Sequence, residues 1–280
     1  MMNCTKYFCK LCLVEWENRL VENIAKLKPD IVALQEVLDF KWCEGWKEKS
    51  PKNICYRYEE REPKHQARRL LGDGYTIVCD GGANFECTGV RVGVGEVKQC
   101  PEGELCRAGE AVRAPLPEGC EDKASISAID VAINDFEMRI VNAHPQSQGN
   151  ACRGAHVRAL FEGTEGGTPV ASTDFNLLIM GDMNLDPYRE VDDESISVWN
   201  EHVGEGKDFY YLSGPAEHDP PYKTCAGRLL DHVVTNFAKG SCKTLGEAPG
   251  TERLDGVEKD KVVPESNDHR AILCEIDMPE

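Results

Sequence analysis

The feature that most constrains this chain is an apolar run that ends abruptly in polar side chains. Residues 177–180 read Leu-Leu-Ile-Met, and Gly181, Asp182, Met183 and Asn184 follow at once. The run is short enough for a strand covered on both faces, and Gly181 lets the chain turn where it leaves the sheet. Because Asp182 and Asn184 are two residues apart, their side chains are expected to point the same way beyond the strand end. A plain Asx turn is the alternative interpretation.

The same pattern recurs elsewhere in the sequence, which argues against an isolated turn. Glu36 comes shortly after four apolar residues, and His144 ends another apolar stretch. Asp231 stands near the beginning of an apolar run, and Asp268 and His269 come shortly before one. In antiparallel neighbours, the start of one strand lies at the same edge as the end of the next. The polar groups of five segments are therefore expected to meet on one rim.

Together these segments resemble the motifs of the endonuclease/exonuclease/phosphatase superfamily, whose members include deoxyribonuclease I and exonuclease III. They follow the family's order from about Asn3 to Cys274, nearly the whole chain. The segments are Leu34-Gln35-Glu36-Val37, Asn142-Ala143-His144, Gly181-Asp182-Met183-Asn184, Leu230-Asp231-His232 and Asn267-Asp268-His269. The resemblance implies an α/β (α+β) fold, a four-layer sandwich of two packed, mostly antiparallel β-sheets flanked by helices.

Length and patterning agree with one domain over residues 1–280, because no long Pro/Gly/Ser linker divides the chain. Apolar residues recur at helical spacing from Leu13 to Leu27, and Lys28-Pro29 ends this helix because the residue before proline avoids the α region. A second helix is expected over about 153–162. Strands are expected near residues 31–36, 75–79, 88–97, 125–133, 137–143, 176–181, 230–235 and 271–276.

The resemblance implies hydrolysis of a phosphodiester or phosphomonoester with a bound divalent cation. Glu36, Asp268 and Asn3 would hold Mg²⁺, which prefers hard oxygen ligands, and Mn²⁺ is expected to substitute for it. Asn3-Cys4-Thr5 is also formally a glycosylation acceptor, and a glycan there would exclude the metal role. The acidic loop 190–194 leaves room for a structural Ca²⁺.

The remaining rim residues would carry the chemistry. By resemblance, Asp182 would orient or deprotonate the attacking water, and Asn184 would hold that water or a phosphate oxygen. His269, paired with Asp231, would contact the phosphate and stabilise charge in the transition state. His144 would act as a general acid toward the leaving oxygen or as a positive partner.

Deoxyribonuclease I supports its second histidine with a glutamate on an earlier strand, and Glu86 is the candidate here. Glu59 or Glu60 could take this role instead, and an exposed strand carboxylate is the plain interpretation of Glu86. His232 adjoins Asp231 on a strand, so it should face away from the site. The other histidines are expected to be surface or structural residues: His65, His156, His202 and His218.

Two features bear on the substrate. Val37 and Leu38 follow Glu36, so the arginine with which deoxyribonuclease I enters the DNA minor groove is missing. The chain has 49 acidic and 32 basic residues and a net charge of −17, which predicts loose, salt-sensitive binding of polyanions. Residues 64–69 form a local basic group, for which a solvated helix face is the alternative.

The 14 cysteines are the second unusual feature, and most of them fall in the first 120 residues. Their irregular spacing predicts several disulfides and a secreted or otherwise oxidising setting, with the polar loop 98–122 pinned by them. A metal or iron–sulfur site at Cys4, Cys9 and Cys12 is the alternative. No signal peptide is visible, so secretion requires a mature or trimmed chain. No run of about 18 apolar residues predicts a membrane span.

These observations favour a monomeric, secreted, Mg²⁺-dependent phosphodiesterase, foremost a nuclease that hydrolyses DNA, with RNA as a further substrate. A phosphatase or phosphodiesterase of the same superfamily acting on a lipid or inositol phosphate is the first alternative. A noncatalytic binding protein on the same scaffold is the second. Seven polar groups on one rim argue against the binding protein, because fold stability alone does not require them.

Overall fold

A computed structural model describes residues 14–38, 43, 54–55, 65–80, 86–107, 120, 125–147, 149–163, 168–188, 192–212, 224, 228–245, 269 and 271–279. Within them the helices are α1 Val14–Leu27, α2 Gln66–Leu71, α3 Asn150–Glu162 and α4 Glu194–His202. The strands are β1 Ile31–Leu34, β2 Tyr75–Cys79, β3 Cys87–Arg91, β4 Glu96–Val97, β5 Leu105–Arg107, β6 Ser125–Ile133, β7 Phe136–His144, β8 Leu177–Asp182, β9 Tyr210–Tyr211, β10 Asp231–Thr235, β11 Lys239–Leu245 and β12 Ala271–Asp277.

The strands form two main sheets and one hairpin. The first sheet has the order β1-β3-β2-β5, the second has the order β4-β6-β7-β8-β10-β9, and β11 pairs with β12. Neighbouring strands are antiparallel except for β2 with β5 and β7 with β8. The sheets are therefore mixed but mostly antiparallel, as the sequence predicts.

Three apolar clusters stack these elements into layers. Val90 of the first sheet packs with Ile129 and Ile140 of the second, which places one core between the sheets. Leu70 of α2 lies in a second cluster with strands β2 and β3. Trp199 of α4 lies in a third cluster with α3 and the second sheet. Helices thus cover the outer face of each sheet, and the predicted four-layer sandwich is confirmed.

Most strands lie within two residues of their predicted positions, but the predicted strand over 88–97 is two strands. β3 ends at Arg91, a turn follows in which Gly93 has φ +79°, and β4 pairs with β6 of the other sheet. The chain therefore crosses from the first sheet to the second at this turn. Helix α4 and the strands β5, β9 and β11 are not predicted from the sequence.

The basic segment 64–69 is not a polyanion-binding surface in its described residues. Arg68 is buried and donates to the backbone carbonyls of Gly72 and Gly103, at 2.7 and 2.8 Å. Arg69 pairs with the buried carboxylate of Glu17 at 2.5 Å. The alternative interpretation of this segment, a solvated helix face, is also wrong for α2, because Arg68 and Arg69 bond to other groups of the protein.

Asp193, in the acidic loop considered for Ca²⁺, has a structural partner. Its carboxylate caps α4 by accepting from the backbone N–H of Ser195 at 2.9 Å, and Arg153 pairs with it. Burial raises the pKa of Asp193, but the hydrogen bonds from Ser195 and Arg153 and the charge of Arg153 outweigh it and lower the pKa. Asp193 therefore serves to start a helix, and Glu190 and Val191 of the same loop lie outside the described residues.

The described cysteines are joined in pairs, which confirms the prediction of several disulfides. The bonds are Cys43–Cys55, Cys79–Cys87, Cys100–Cys106, Cys120–Cys152 and Cys242–Cys274. Such a framework is typical of an oxidising compartment. Cys4, Cys9 and Cys12, considered as metal ligands, lie outside the described residues. Among the described helices, none has the length and apolar character needed to cross a membrane.

Candidate active site

The polar groups of three strands converge at one edge of the second sheet. Asp182 at the end of β8 is the register partner of Asp231 at the start of β10. His144 ends β7, the strand on the other side of β8. Gly181 permits this approach, because a Cβ atom there would lie 2.1 Å from the carbonyl oxygen of Ala143 and its φ is +142°. The edge therefore brings together the polar groups that end separate apolar runs in the sequence.

His144 belongs to a hydrogen-bonded chain that spans the two sheets. Its Nδ1 lies 2.8 Å from Oε1 of Glu86, which immediately precedes β3 of the first sheet. Glu86 is fully buried, and its other oxygen accepts from the hydroxyl of Ser125 at 2.7 Å. Ser125 is in turn the register partner of His144. These contacts fix the orientation of the imidazole. Its Nε2 points toward Asp182 and lies 3.8 Å from Oδ2 of that residue.

His269 forms a matching pair on the opposite side of Asp182. Its Nδ1 lies 2.8 Å from Oδ2 of Asp231, and its Nε2 lies 3.4 Å from Oδ2 of Asp182. Thr224 supports this pair, because its hydroxyl accepts from the backbone N–H of Asp231 at 3.1 Å. Two histidines, each held by its own carboxylate, therefore face one oxygen of Asp182.

Asp182 and Asn184 form a tight turn at the end of β8. Oδ1 of Asp182 accepts from the backbone N–H of Asn184 at 2.8 Å, and Asn184 has φ +52°. The Asn184 amide donates to the carbonyl of Pro145 at 3.0 Å, which ties the turn to the residue after His144. Asp182 and Asn184 therefore form an Asx turn that is itself part of the site. The turn uses Oδ1 of Asp182 and leaves Oδ2 facing the two histidines.

Three groups in the site, His144, Asp182 and Glu86, have raised pKa values. Burial lowers the pKa of His144, but the hydrogen bond to Glu86 and the negative charges of Asp182, Glu86 and Glu36 outweigh it and raise the pKa to about 9. Burial and the charge of Asp231 raise the pKa of Asp182 to about 6, against the lowering effect of the two histidines. Burial also raises the pKa of Glu86. At neutral pH the site therefore holds an imidazolium beside an ionised Asp182.

Glu36 is the metal-ligand candidate that the structure describes. It follows β1 of the first sheet and has φ +56°, and its negative charge helps to raise the pKa of His144. Asn3 and Asp268, the other two candidates, lie outside the described residues, as do Glu59 and Glu60. The described residues also bring ligand atoms of Asp182, Asp231 and His269 within 4.8 Å of one another. Glu36, Asp182 and Asp231 all offer carboxylate oxygens, and this donor chemistry fits a hard divalent cation.

The remaining described histidines have structural surroundings. His232 is buried and faces away from the rim, with Nε2 3.1 Å from the carbonyl of Leu185, and burial lowers its pKa. Burial lowers the pKa of His156 to about 4. His65 caps α2, and His202 stacks on Phe161. None of these four contributes to the edge that carries Asp182.

Four residues support the site without a role assigned to them from the sequence, although two of them, Gln35 and Asn142, stand within sequence motifs of the site. Ser125, Thr224, Gln35 and Asn142 each bond to a rim residue or to the strand that carries it. A polar residue at the first position of an apolar strand was the available signal for Ser125. Thr224 had no such signal, because it lies five residues before the apolar run that begins at Leu229 and is not part of that run. Val37 and Leu38, which stand where a groove-reading arginine would be, are buried.

Comparison with known proteins gives structural similarity at low sequence identity. No protein-family model matches the sequence. No curated protein matches it either. Humanized TDP2 from D. rerio, carrying 14 mutations, aligns with a TM-score of 0.60 and 14% identity over 94% of this chain and 92% of its own. D. rerio TDP2 complexed with single-strand DNA product aligns with a TM-score of 0.55 and 15% identity over 95% and 93% of the two chains.

A bacterial protein gives the same result. The endonuclease/exonuclease/phosphatase from Bacteroides vulgatus aligns with a TM-score of 0.55 and 15% identity, covering 95% of this chain and 91% of its own. These alignments span nearly the whole of each chain, so the similarity concerns the complete sandwich. The chain has the fold of the endonuclease/exonuclease/phosphatase superfamily.

Proposed function

We propose that this protein is a metal-dependent phosphodiesterase that hydrolyses nucleic acid, foremost DNA. One observation carries the proposal: His144–Glu86 and His269–Asp231 direct their Nε2 atoms at Oδ2 of Asp182 from two sides. Fold stability does not require two partly buried histidine–carboxylate pairs around a third carboxylate, since charges removed from water are costly unless they are compensated. A hydrolytic centre needs a base, a proton donor and positive charge in this arrangement.

The cation in this proposal is Mg²⁺, with Mn²⁺ as a substitute. Glu36 would hold it together with Asp268 and Asn3, whose carboxylate and amide oxygens complete a hard donor set. When bound, the cation offsets negative charge on the phosphate under attack. Val37 and Leu38 behind Glu36 are buried and hold its segment against the protein.

Asp182 is the group that orients and deprotonates the attacking water. Its pKa of about 6 leaves it ionised at neutral pH and close to the value that favours proton transfer there. One of its oxygens is occupied by the Asn184 N–H, so the other is directed into the space between the histidines. The amide of Asn184 holds the water or a phosphate oxygen.

The two histidines have different roles in the proposed reaction. His144 has a raised pKa and carries a proton at neutral pH, so it can donate that proton to the leaving oxygen. Asp231 fixes the ring of His269 through Nδ1, which leaves Nε2 to contact a phosphate oxygen and stabilise the transition state. The chemistry is the same for a phosphodiester and a phosphomonoester, because neither role depends on the second ester group.

DNA is the proposed substrate because D. rerio TDP2, which shares the fold, is complexed with single-strand DNA product. The net charge of −17 means that binding should weaken steeply with salt. We further propose that the protein acts as a monomer in a secreted setting, which the disulfides among ten described cysteines support.

A substrate panel with a metal series tests this proposal. Purified protein is incubated with single- and double-stranded DNA, RNA, a lipid or inositol phosphate and a generic phosphodiester, with Mg²⁺, Mn²⁺, Ca²⁺ or EDTA. Cleavage of DNA with Mg²⁺ but not with EDTA is the expected result. Cleavage of lipid or inositol phosphates alone would remove the nuclease assignment and keep the mechanism. Inactivity on every substrate with every metal would favour the noncatalytic binding protein.

A further inference from the structure

Asn142 lies on β7, two residues before His144, and is completely buried between the two sheets. Residues two apart on a strand point to the same side, so its side chain and that of His144 both face the first sheet. A buried amide carries two N–H donors and one acceptor oxygen that need partners. The partners that Asn142 finds all belong to the segments that deliver Glu36 and Glu86.

The amide nitrogen of Asn142 donates to the first sheet at two points. It lies 3.2 Å from the carbonyl oxygen of Leu34 and 3.1 Å from that of Cys87. Leu34 and Cys87 are register partners, the last pair of β1 with β3. Leu34 is the last strand residue before Gln35 and Glu36, and Cys87 is the first after Glu86. One side chain of the second sheet thus clamps the two strand ends that carry both glutamates.

The oxygen of Asn142 completes the clamp by accepting from the Gln35 amide at 2.7 Å. Gln35 directly precedes Glu36, whose φ of +56° lies in the left-handed region that a residue with a Cβ atom adopts only at a cost. Such a conformation persists when the surroundings hold it in place. Asn142 therefore bonds to the side chain of Gln35, which precedes Glu36, and to the backbone carbonyl of Leu34, which precedes Gln35.

We infer that Asn142 is a positioning residue that sets the Glu36 carboxylate for its cation, an inference that rests on the proposed function. Asn142 is fully buried and its amide bonds to protein groups, so it is placed to act through other residues. It acts by bonding the ends of β1 and β3 to the strand that ends in His144, so that Glu36, Glu86 and His144 keep one arrangement. Residues that orient a metal ligand in this way typically change metal affinity by about 10- to 100-fold when they are replaced.

The test compares Asn142→Ala with Asn236→Ala as a matched control. Asn236 also bridges two backbone groups, accepting from the N–H of Leu177 and donating to the carbonyl of Phe175, both at 2.8 Å. Those bonds lie at the start of β8, whereas the site lies at its end. Mn²⁺ affinity is measured without substrate, by electron paramagnetic resonance of the free ion. We expect a loss of about 10- to 100-fold in N142A and wild-type affinity in N236A.

Two further variants keep the test decisive. Gln35→Ala removes one bond of the clamp and should weaken Mn²⁺ binding by several-fold, even if N142A does not fold. Asn142→Asp keeps the shape and the acceptor but cannot donate to two carbonyls, so it should resemble N142A. Wild-type Mn²⁺ affinity in Q35A and in the folded Asn142 variants would overturn the inference.

A metal-free readout separates this inference from the proposed function. In crystals of metal-free N142A or Q35A, we expect Glu36 to leave the left-handed region, while N236A retains it. If the wild-type protein binds no Mn²⁺ but Glu36 still moves in these variants, the metal assignment fails and the positioning role stands. If Glu36 keeps its conformation in both variants, the positioning role is wrong.

Discussion

Nδ1 of His144, at the end of a strand of the second sheet, lies 2.8 Å from Oε1 of Glu86, which immediately precedes a strand of the first sheet. This bond, with the charges of Asp182 and Glu36, keeps the imidazole protonated despite its burial. The hydrogen bond makes His144 a cation at neutral pH. The protonation state of the site therefore depends on how the two sheets are packed.

Replacing Glu86 by Gln should lower the pKa of His144, because the variant removes the charge that stabilises the imidazolium. The alkaline limb of the pH dependence of kcat/KM should then move to lower pH, and the rate should fall. Glu137→Gln is the control, since Glu137 pairs with Lys98 on the exposed surface. Activity within a few-fold of the parent, with an unmoved alkaline limb, would remove Glu86 from the mechanism.

The pH dependence of the parent protein should be bell-shaped. Asp182 must be ionised to accept a proton, so activity should be lost as the pH falls through its pKa of about 6. His144 must be protonated to donate, so activity should be lost as the pH rises through about 9. Steady-state rates from pH 5 to 10 at constant ionic strength measure both limbs. A rate that keeps rising above pH 9.5 would contradict the role of His144.

Replacing either rim histidine by alanine should greatly reduce the reaction rate. His144→Ala and His269→Ala should each reduce the rate by at least about 10²-fold, because each removes proton transfer or charge stabilisation in the transition state. His202→Asn serves as the control, since His202 stacks on Phe161 away from the site. A near-normal rate in either alanine variant would exclude that histidine from catalysis.

His156 should make the protein acid-sensitive independently of the site. Burial lowers its folded pKa to about 4 from an ordinary value of 6.5, so the unfolded state binds the extra proton first. Stability should therefore be lost as the pH falls from about 6.5 to about 4, by about 3 kcal/mol in total. Urea unfolding of the parent and His156→Asn over this range measures the difference. An identical pH dependence in both proteins would contradict this assignment.

Gly181 should not tolerate a side chain. Gly181→Ala places a Cβ atom against the Ala143 carbonyl and forces alanine into a φ of +142°, so stability and activity should both fall. Gly74→Ala is the matched control, because a Cβ atom there meets no heavy atom within 4 Å. Thermal unfolding of the two variants gives the comparison. Equal melting temperatures would show that β7 and β8 adjust without cost.

The sequence predicts the central strands well, because their apolar runs are short, uninterrupted and end in polar residues. It also groups His144, Asp182 and Asp231 at one edge, since strand periodicity and direction determine that edge. Helix α4 was missed because its capping residue Asp193 lies in an acidic stretch that equally suits a cation loop. Local sequence does not distinguish a carboxylate that caps a helix from one that binds a metal.

The contacts between the supporting residues of the two sheets could not be predicted, for a different reason. The bond between Gln35 and Asn142 depends on how two sheets stack, and strand patterning specifies which face a residue takes but not what lies opposite it. Likewise, Arg68 and Arg69 have the sequence of an exposed basic helix, and only the packing of α2 shows that their guanidinium groups bond within the protein.

The most direct test of the account is the rate of DNA hydrolysis by the wild-type protein and by Asp182→Asn, each with Mg²⁺ and with EDTA. Asn at this position keeps the size of the side chain but cannot accept a proton from water. We expect the wild-type protein to cleave DNA with Mg²⁺, to stop with EDTA, and to lose at least about 10²-fold in rate in the variant. Equal rates for wild type and variant would contradict the central role of Asp182.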